Sequence, residues 1–165
     1  MSVARLTHST GPNNGLVAKL GAIKEGYEES LRYPAVRAFA ERAAMGPLGR
    51  PSLLVLFANL RSVYRYLPDP VGVELIKSPH VMVSEIKSRG WTAGDCDDAA
   101  SLVYGLLNLL GVPARLAVGW KPGQSSPSHI WVRVPETTGN FVEFDLTKPI
   151  FNGPKSGYEA IREYA

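Results

Sequence analysis

Hydrophobic residues recur at helical spacing through the first two thirds of the chain and alternate through the last third. Leu16, Leu20, Ile23 and Tyr27 mark one face of a helix over roughly 14–31. Pro34 opens a second helix at its first turn. Val36, Phe39, Ala40 and Ala43 form its apolar stripe, and Gly46-Pro47 ends it. A very apolar third helix, over about 51–66, carries Leu53, Leu54, Leu56, Phe57 and Leu60, and Pro68-Asp69-Pro70 breaks it. Residues 67–78 read as a loop or a short extended piece. Pro79 opens a short helix through Val83 and Ile86 that Gly90 closes. A strongly apolar helix follows the stretch Gly94-Asp-Cys-Asp-Asp98 and runs to Leu110, with Gly111 at its C′ position and Pro113 beyond.

Residues 115–120 then read as a strand and 121–128 as a Pro/Gly/Ser loop. Residues 129–134 and 141–146 alternate as a hairpin around 137–140. Residues 155–165 are expected to form a last short helix, and the first dozen residues to be loose. Helices first, then a central helix, then an antiparallel sheet is an α+β pattern.

Composition narrows the function classes. The 165 residues suit one domain, with a helical part at 1–58, a core at 59–150 and a tail at 151–165. The single cysteine excludes an intrachain disulfide. With only three histidines beside it, a multi-thiolate zinc site is excluded too. The net charge is +3, but the basic residues of 1–50 are dispersed among acids, so no nucleic-acid arm is indicated. The apolar run from Leu53 to Leu60 is interrupted by Asn59 and is too short to span a membrane. No continuous apolar stretch follows Arg5, so no signal peptide is read and a cytoplasmic location is expected.

Three positions carry chemistry. Asp95 is an N-cap candidate, which puts Cys96 in the first turn of the central helix. Unpaired N–H groups and the positive helix end there favour a thiolate and suit an oxyanion. The alternative is a small buried cysteine. The acids around it, Asp95, Asp97 and Asp98, suit a helix N-terminus. A cation site built from them is the weaker alternative. In the hairpin, His129, Trp131 and Arg133 share a face, as do Phe141, Glu143 and Asp145. Pairing Val134 with Asn140 sets His129 directly across from Asp145; a shift of two leaves them diagonal on the same face. An imidazole oriented by a carboxylate could take the thiol proton.

The stretches Gly94-Asp-Cys-Asp-Asp98, His129-Ile-Trp-Val-Arg-Val134 and Glu143-Phe-Asp-Leu-Thr147 resemble the transglutaminase-like superfamily. The likeness is greatest to small bacterial and phage members and covers about 60–150. It implies a papain-like fold, with Cys96 as nucleophile, His129 as general base and acid, and Asp145 as orienter. The chemistry is acyl transfer through a thioester: peptidase or amidase with water as acceptor, transglutaminase with an amine. Animal transglutaminases depend on calcium and span several further domains. This chain has none of those domains, so no cofactor or metal is carried over. The implied partner is a protein or peptide substrate, cell-wall peptide included. If the chain is phage-encoded, a structural or maturation role among virion proteins is the alternative.

The resemblance leaves the second oxyanion donor open, with Tyr66, Ser78 and Trp91 as candidates. The tryptophans Trp91, Trp120 and Trp131 all flank the proposed site. They are expected to line a hydrophobic substrate groove beside Cys96, the alternative being hairpin and core packing.

Overall fold

The computed structural model describes residues 5–6, 12–71 and 73–165. In chain order these form β1 (Arg5–Leu6), α1 (Pro12–Ser30), α2 (Pro34–Ala44), α3 (Leu53–Val63), β2 (Tyr64–Tyr66), β3 (Leu75–Ile76) and α4 (Pro79–Arg89). There follow β4 (Thr92–Gly94), α5 (Cys96–Leu109), β5 (Arg115–Trp120), β6 (His129–Pro135), β7 (Phe141–Phe144) and β8 (Ala160–Tyr164). The expectation of a loose first dozen residues falls largely on 1–4 and 7–11, which lie outside the described residues.

Local signals account for most helix ends. Ser52 caps α3 by accepting from the Val55 N–H at 3.4 Å. Pro79 sits in the first turn of α4, and Gly90 closes that helix with a left-handed φ of 84°. After α5, the N–H of Val112 reaches back to the Leu107 carbonyl at 2.9 Å, with Gly111 also left-handed.

α5 is buried nearly all round. Leu102, Leu106 and Leu107 are fully enclosed between α1, α2 and α4 on one side and the sheet on the other. Each such leucine contributes about 1.5–3 kcal/mol relative to an exposed one. Phe57, Phe144 and Phe151 join α3 to the sheet, with ring centroids 5.4–5.9 Å apart.

The main sheet has the antiparallel order β7-β6-β5-β8. Here the expected terminal helix is corrected: residues 160–164 are a strand paired with β5. The physical reason is the edge of β5. Leu116, Ala117 and Val118 are buried, and their backbone groups need partners on both sides. The third helix also ends earlier than expected, at Val63. Tyr64–Tyr66 leaves it to pair in parallel with β4, Tyr66 standing across from Gly94.

Candidate active site

The Gly-Asp-Cys-Asp-Asp stretch is built for close packing. Asp95 caps α5, its Oδ1 accepting from the Asp97 N–H at 2.9 Å. The Tyr64 hydroxyl donates to the Asp95 carbonyl at 2.7 Å and ties the cap to β2. Asp98 turns back and accepts from the Lys77 N–H at 2.7 Å. A Cβ on Gly94 would overlap the Asp98 carboxylate, so only glycine fits there. Asp97 is buried, with Oδ2 2.6 Å from Lys19 Nζ on α1, and Lys19 also pairs with Glu74.

Cys96 is partly buried, and its thiol hydrogen bond runs to Asp97 Oδ1 at 3.5 Å. Burial, then the charges of Asp97 and Asp95, push the thiol above its ordinary range, against a hydrogen bond from the Ile130 backbone and the charge of Lys19. The helix N-terminus alone predicts the opposite direction. Desolvation and two neighbouring carboxylates outweigh it, so the thiol rests protonated. Burial also raises Asp97 and Asp98 to about 7.

His129 and Asp145 meet at the end of the hairpin. The observed register pairs Val132 with Phe144 and Val134 with Val142, two residues from direct opposition of His129 and Asp145. They lie diagonally on one face, with Nε2 2.7 Å from Oδ2. That bond leaves Nδ1 as the ring nitrogen free for proton transfer. Asp145 is buried, and its Oδ1 accepts from the Thr147 N–H at 3.0 Å and the Thr147 hydroxyl at 2.7 Å. Its Oδ2 also pairs with Lys155. Despite burial, the bond to His129 and the charges of His129 and Lys155 hold Asp145 well below the usual carboxylate range.

The His129 ring is fixed by stacking. Trp131 lies 5.5 Å away at 19° and Tyr158 6.2 Å away at 10°. Trp131 is anchored through Nε1 by Glu143, which also holds Arg133. Gly119, opposite His129 on β5, makes room: a Cβ there would meet the Tyr158 ring at 2.6 Å.

Cys96 and His129 line one cavity of about 250 Å³, with Lys19, Glu74, Asp97 and Ser128. On its other side His129 borders a cavity of about 290 Å³ lined by Tyr66, Thr147 and Tyr158. Among the described residues, no tryptophan lines either. This corrects the expected groove. Trp131 is fully buried beneath His129. Trp91 is held between the guanidinium groups of Arg65 and Arg89, at 4.1 and 3.9 Å. Trp120 packs on the core beneath Arg162. Of the candidate oxyanion donors, Ser78 is buried and bonded to His80 at 2.9 Å, while Tyr66 stands beside His129.

Lys19, Glu74, Lys155 and Tyr158 escape sequence reasoning. Each reaches the site through tertiary packing and has no local signature. Ligand atoms of Asp95, Cys96 and Asp97 lie within 4.8 Å of one another, as do those of Asp69, Glu74 and Asp95. One oxygen of each aspartate is already engaged, that of Asp97 by Lys19, that of Asp95 by the Asp97 N–H and that of Asp69 by the Leu75 N–H. Among the described residues, no helix is long and apolar enough to cross a membrane.

Residues 56–146, more than half of the chain, match the family model of the transglutaminase-like superfamily. The match bears out the expected α+β, papain-like fold. No curated protein matches the chain. A solved structure described as a "putative cysteine protease" from Cytophaga hutchinsonii aligns at 18% identity with a TM-score of 0.48. The alignment covers 78% of this chain and 45% of that one, so the chain spans less than half of that protein's length.

Proposed function

The chain belongs to the transglutaminase-like superfamily, and on that premise we propose that it is a thiol-dependent acyl-transfer enzyme that hydrolyses an amide in a protein or peptide. The observation that carries this reading is the 2.7 Å bond from His129 to Asp145 at the wall of the cavity that holds Cys96.

The reaction starts from a neutral thiol. As Sγ of Cys96 attacks the amide carbonyl carbon, its proton passes to His129 Nδ1. The oxyanion is held by the Cys96 N–H in the first turn of α5 and by the Tyr66 hydroxyl. Burial, with the nearby Asp95 and Asp97 carboxylates, raises the Tyr66 phenol, which keeps it a donor. His129 returns the proton to the leaving amine as the C–N bond breaks, and a thioester remains. Water then loses a proton to Nδ1, attacks the thioester, and releases a carboxylic acid as Sγ is reprotonated.

The test is incubation with a mixed peptide library, with and without methylamine, read by mass spectrometry. Hydrolysis products that vanish with Cys96→Ala support the reading. Methylamine adducts in their place would move it to amide crosslinking. No product from folded wild type, or products that persist in Cys96→Ala, would overturn it.

A further inference from the structure

Two lysines wall the outer side of the site with no acid to neutralise them. The cavity of about 290 Å³ on the far side of His129 carries Lys121 and Lys148 beside Tyr66, Thr147 and Tyr158. Both lysines, with Tyr158, also wall a neighbouring cavity of about 340 Å³. The other lysines that line the site are answered within the fold: Lys19 pairs with Asp97 and Glu74, and Lys155 pairs with Asp145. The carboxylates of the two outer cavities are engaged as well. Glu143 is held by Trp131 and Arg133, and Asp145 by His129, Thr147 and Lys155. Among the described residues, neither Lys121 nor Lys148 has an acidic partner, and both are exposed to solvent.

Their backbones are fixed. The Lys121 N–H donates to Ser128 Oγ at 3.1 Å. The Lys148 N–H donates to the Asp145 carbonyl at 3.2 Å, and the Lys148 carbonyl accepts from Arg61 Nε at 3.3 Å. Two cations from separate loops thus converge on one cavity whose own acids are taken, and an anion is the group that such a field attracts.

Position in the reaction decides which part of a substrate meets them. The carbonyl carbon is attacked at Cys96 Sγ, and the leaving nitrogen takes its proton from His129. The leaving residue is the part that lies against His129 and continues past it, away from the Cys96 cavity. We propose that Lys121 and Lys148 form an anion subsite for that residue, so that the enzyme selects amides whose leaving amine carries a carboxylate. The carboxylate is the main-chain group of a terminal residue or an acidic side chain next to the scissile amide. This deepens the acyl-transfer reading and rests on it for the direction in which substrate lies.

The first test needs no turnover. The full chain, isotope-labelled and carrying Cys96→Ala, is titrated by NMR with two pairs of peptides. Acetyl-alanyl-alanine against its C-terminal amide probes a main-chain carboxylate. Acetyl-alanyl-glutamate amide against acetyl-alanyl-glutamine amide probes a side-chain one. In at least one pair the acid is expected to bind about tenfold more tightly at low salt, moving the backbone amides of Lys121 and Lys148. That preference should shrink to about twofold or less when Lys121→Met and Lys148→Met are combined, and at high salt. If the double variant does not fold, Lys121→Gln and Lys148→Gln are each expected to lose about threefold. A merely structural role would weaken both members of a pair equally. Equal behaviour of acid and neutral peptide in both pairs, absence of binding included, overturns the proposal, and so does a preference that survives loss of the lysines.

The second test is the released amines of a peptide library digested by the active enzyme. Acidic leaving residues should dominate, and the double lysine variant should raise their KM about tenfold with kcat unchanged. Absence of turnover in wild type would count against the acyl-transfer reading alone, since the peptide titration does not need activity.

Discussion

Asp145 reaches His129 along a diagonal of the hairpin, Oδ2 lying 2.7 Å from Nε2, while Trp131 fills the space beneath the ring. The carboxylate thus orients the imidazole through its edge and leaves the face to aromatic stacking. Lys155 makes that carboxylate structural as well as chemical.

Removing the charge of Asp145 therefore strands a buried ammonium. Asp145→Asn is expected to cost about 3–5 kcal/mol of stability and on the order of 10²–10⁴ in kcat/KM. The double variant with Lys155→Met should recover most of the stability and none of the activity. Denaturant melts and rates on the four corners of that cycle check this; equal recovery of both would contradict it.

The resting thiol of Cys96 is expected to alkylate slowly. At neutral pH, iodoacetamide should label it more slowly than it labels a free thiol, with the rate climbing through the alkaline range. Asp97→Asn removes the nearest carboxylate and should accelerate labelling. Fast labelling of wild type at neutral pH would show that the helix end outweighs burial.

Stability is expected to fall as pH rises from the ordinary carboxylate range, about 4, toward 7. Asp97 and Asp98 are raised to about 7 in the fold, so their contribution is complete below the ordinary carboxylate range and is lost as pH climbs through 7. Asp145 acts in the opposite sense: its contribution is present above the ordinary range and lost as pH drops below it. Stability should peak near pH ~4–5 and decline above it, by on the order of a few kcal/mol in all. Asp98→Asn keeps an acceptor for the Lys77 N–H and should flatten the decline. Thermal melts across the range check this, and a Tm that rises between pH ~5 and ~7 would refute it.

Gly119→Ala is expected to disturb the site more than the fold. The added methyl would meet Tyr158 at 2.6 Å and Trp131 at 3.0 Å. Tyr158 can swing away, at a cost of about 1–3 kcal/mol, but His129 then loses one stacking partner. Activity should drop while the thermal transition stays cooperative. Unchanged activity would mean that Tyr158 does not fix the ring.

Much of this is legible along the chain. The helices are, because their apolar stripes and terminal Pro, Ser and Gly residues act within a turn or two. Asp95 alone places Cys96 at a helix start. The hairpin parity is readable, and so is the shared face of His129 and Asp145. Its register is not. The loop at 137–139, closed by the Glu136 N–H to the Asn140 carbonyl at 2.8 Å with Gly139 left-handed, shifts the pairing by two. The terminal strand is hidden because its partner, the edge of β5, lies far upstream.

The sequence by itself determined which residues could do chemistry and on which elements they sit, since periodicity, caps and alternation are local. Only the tertiary structure decided their ionic state and surroundings. Burial, the lysine beside Asp97, the lysine behind Asp145 and the rings around His129 come from segments distant in the chain. Electrostatic energies depend on distance through the fold and on lost solvent, and neither is written in the spacing of residues.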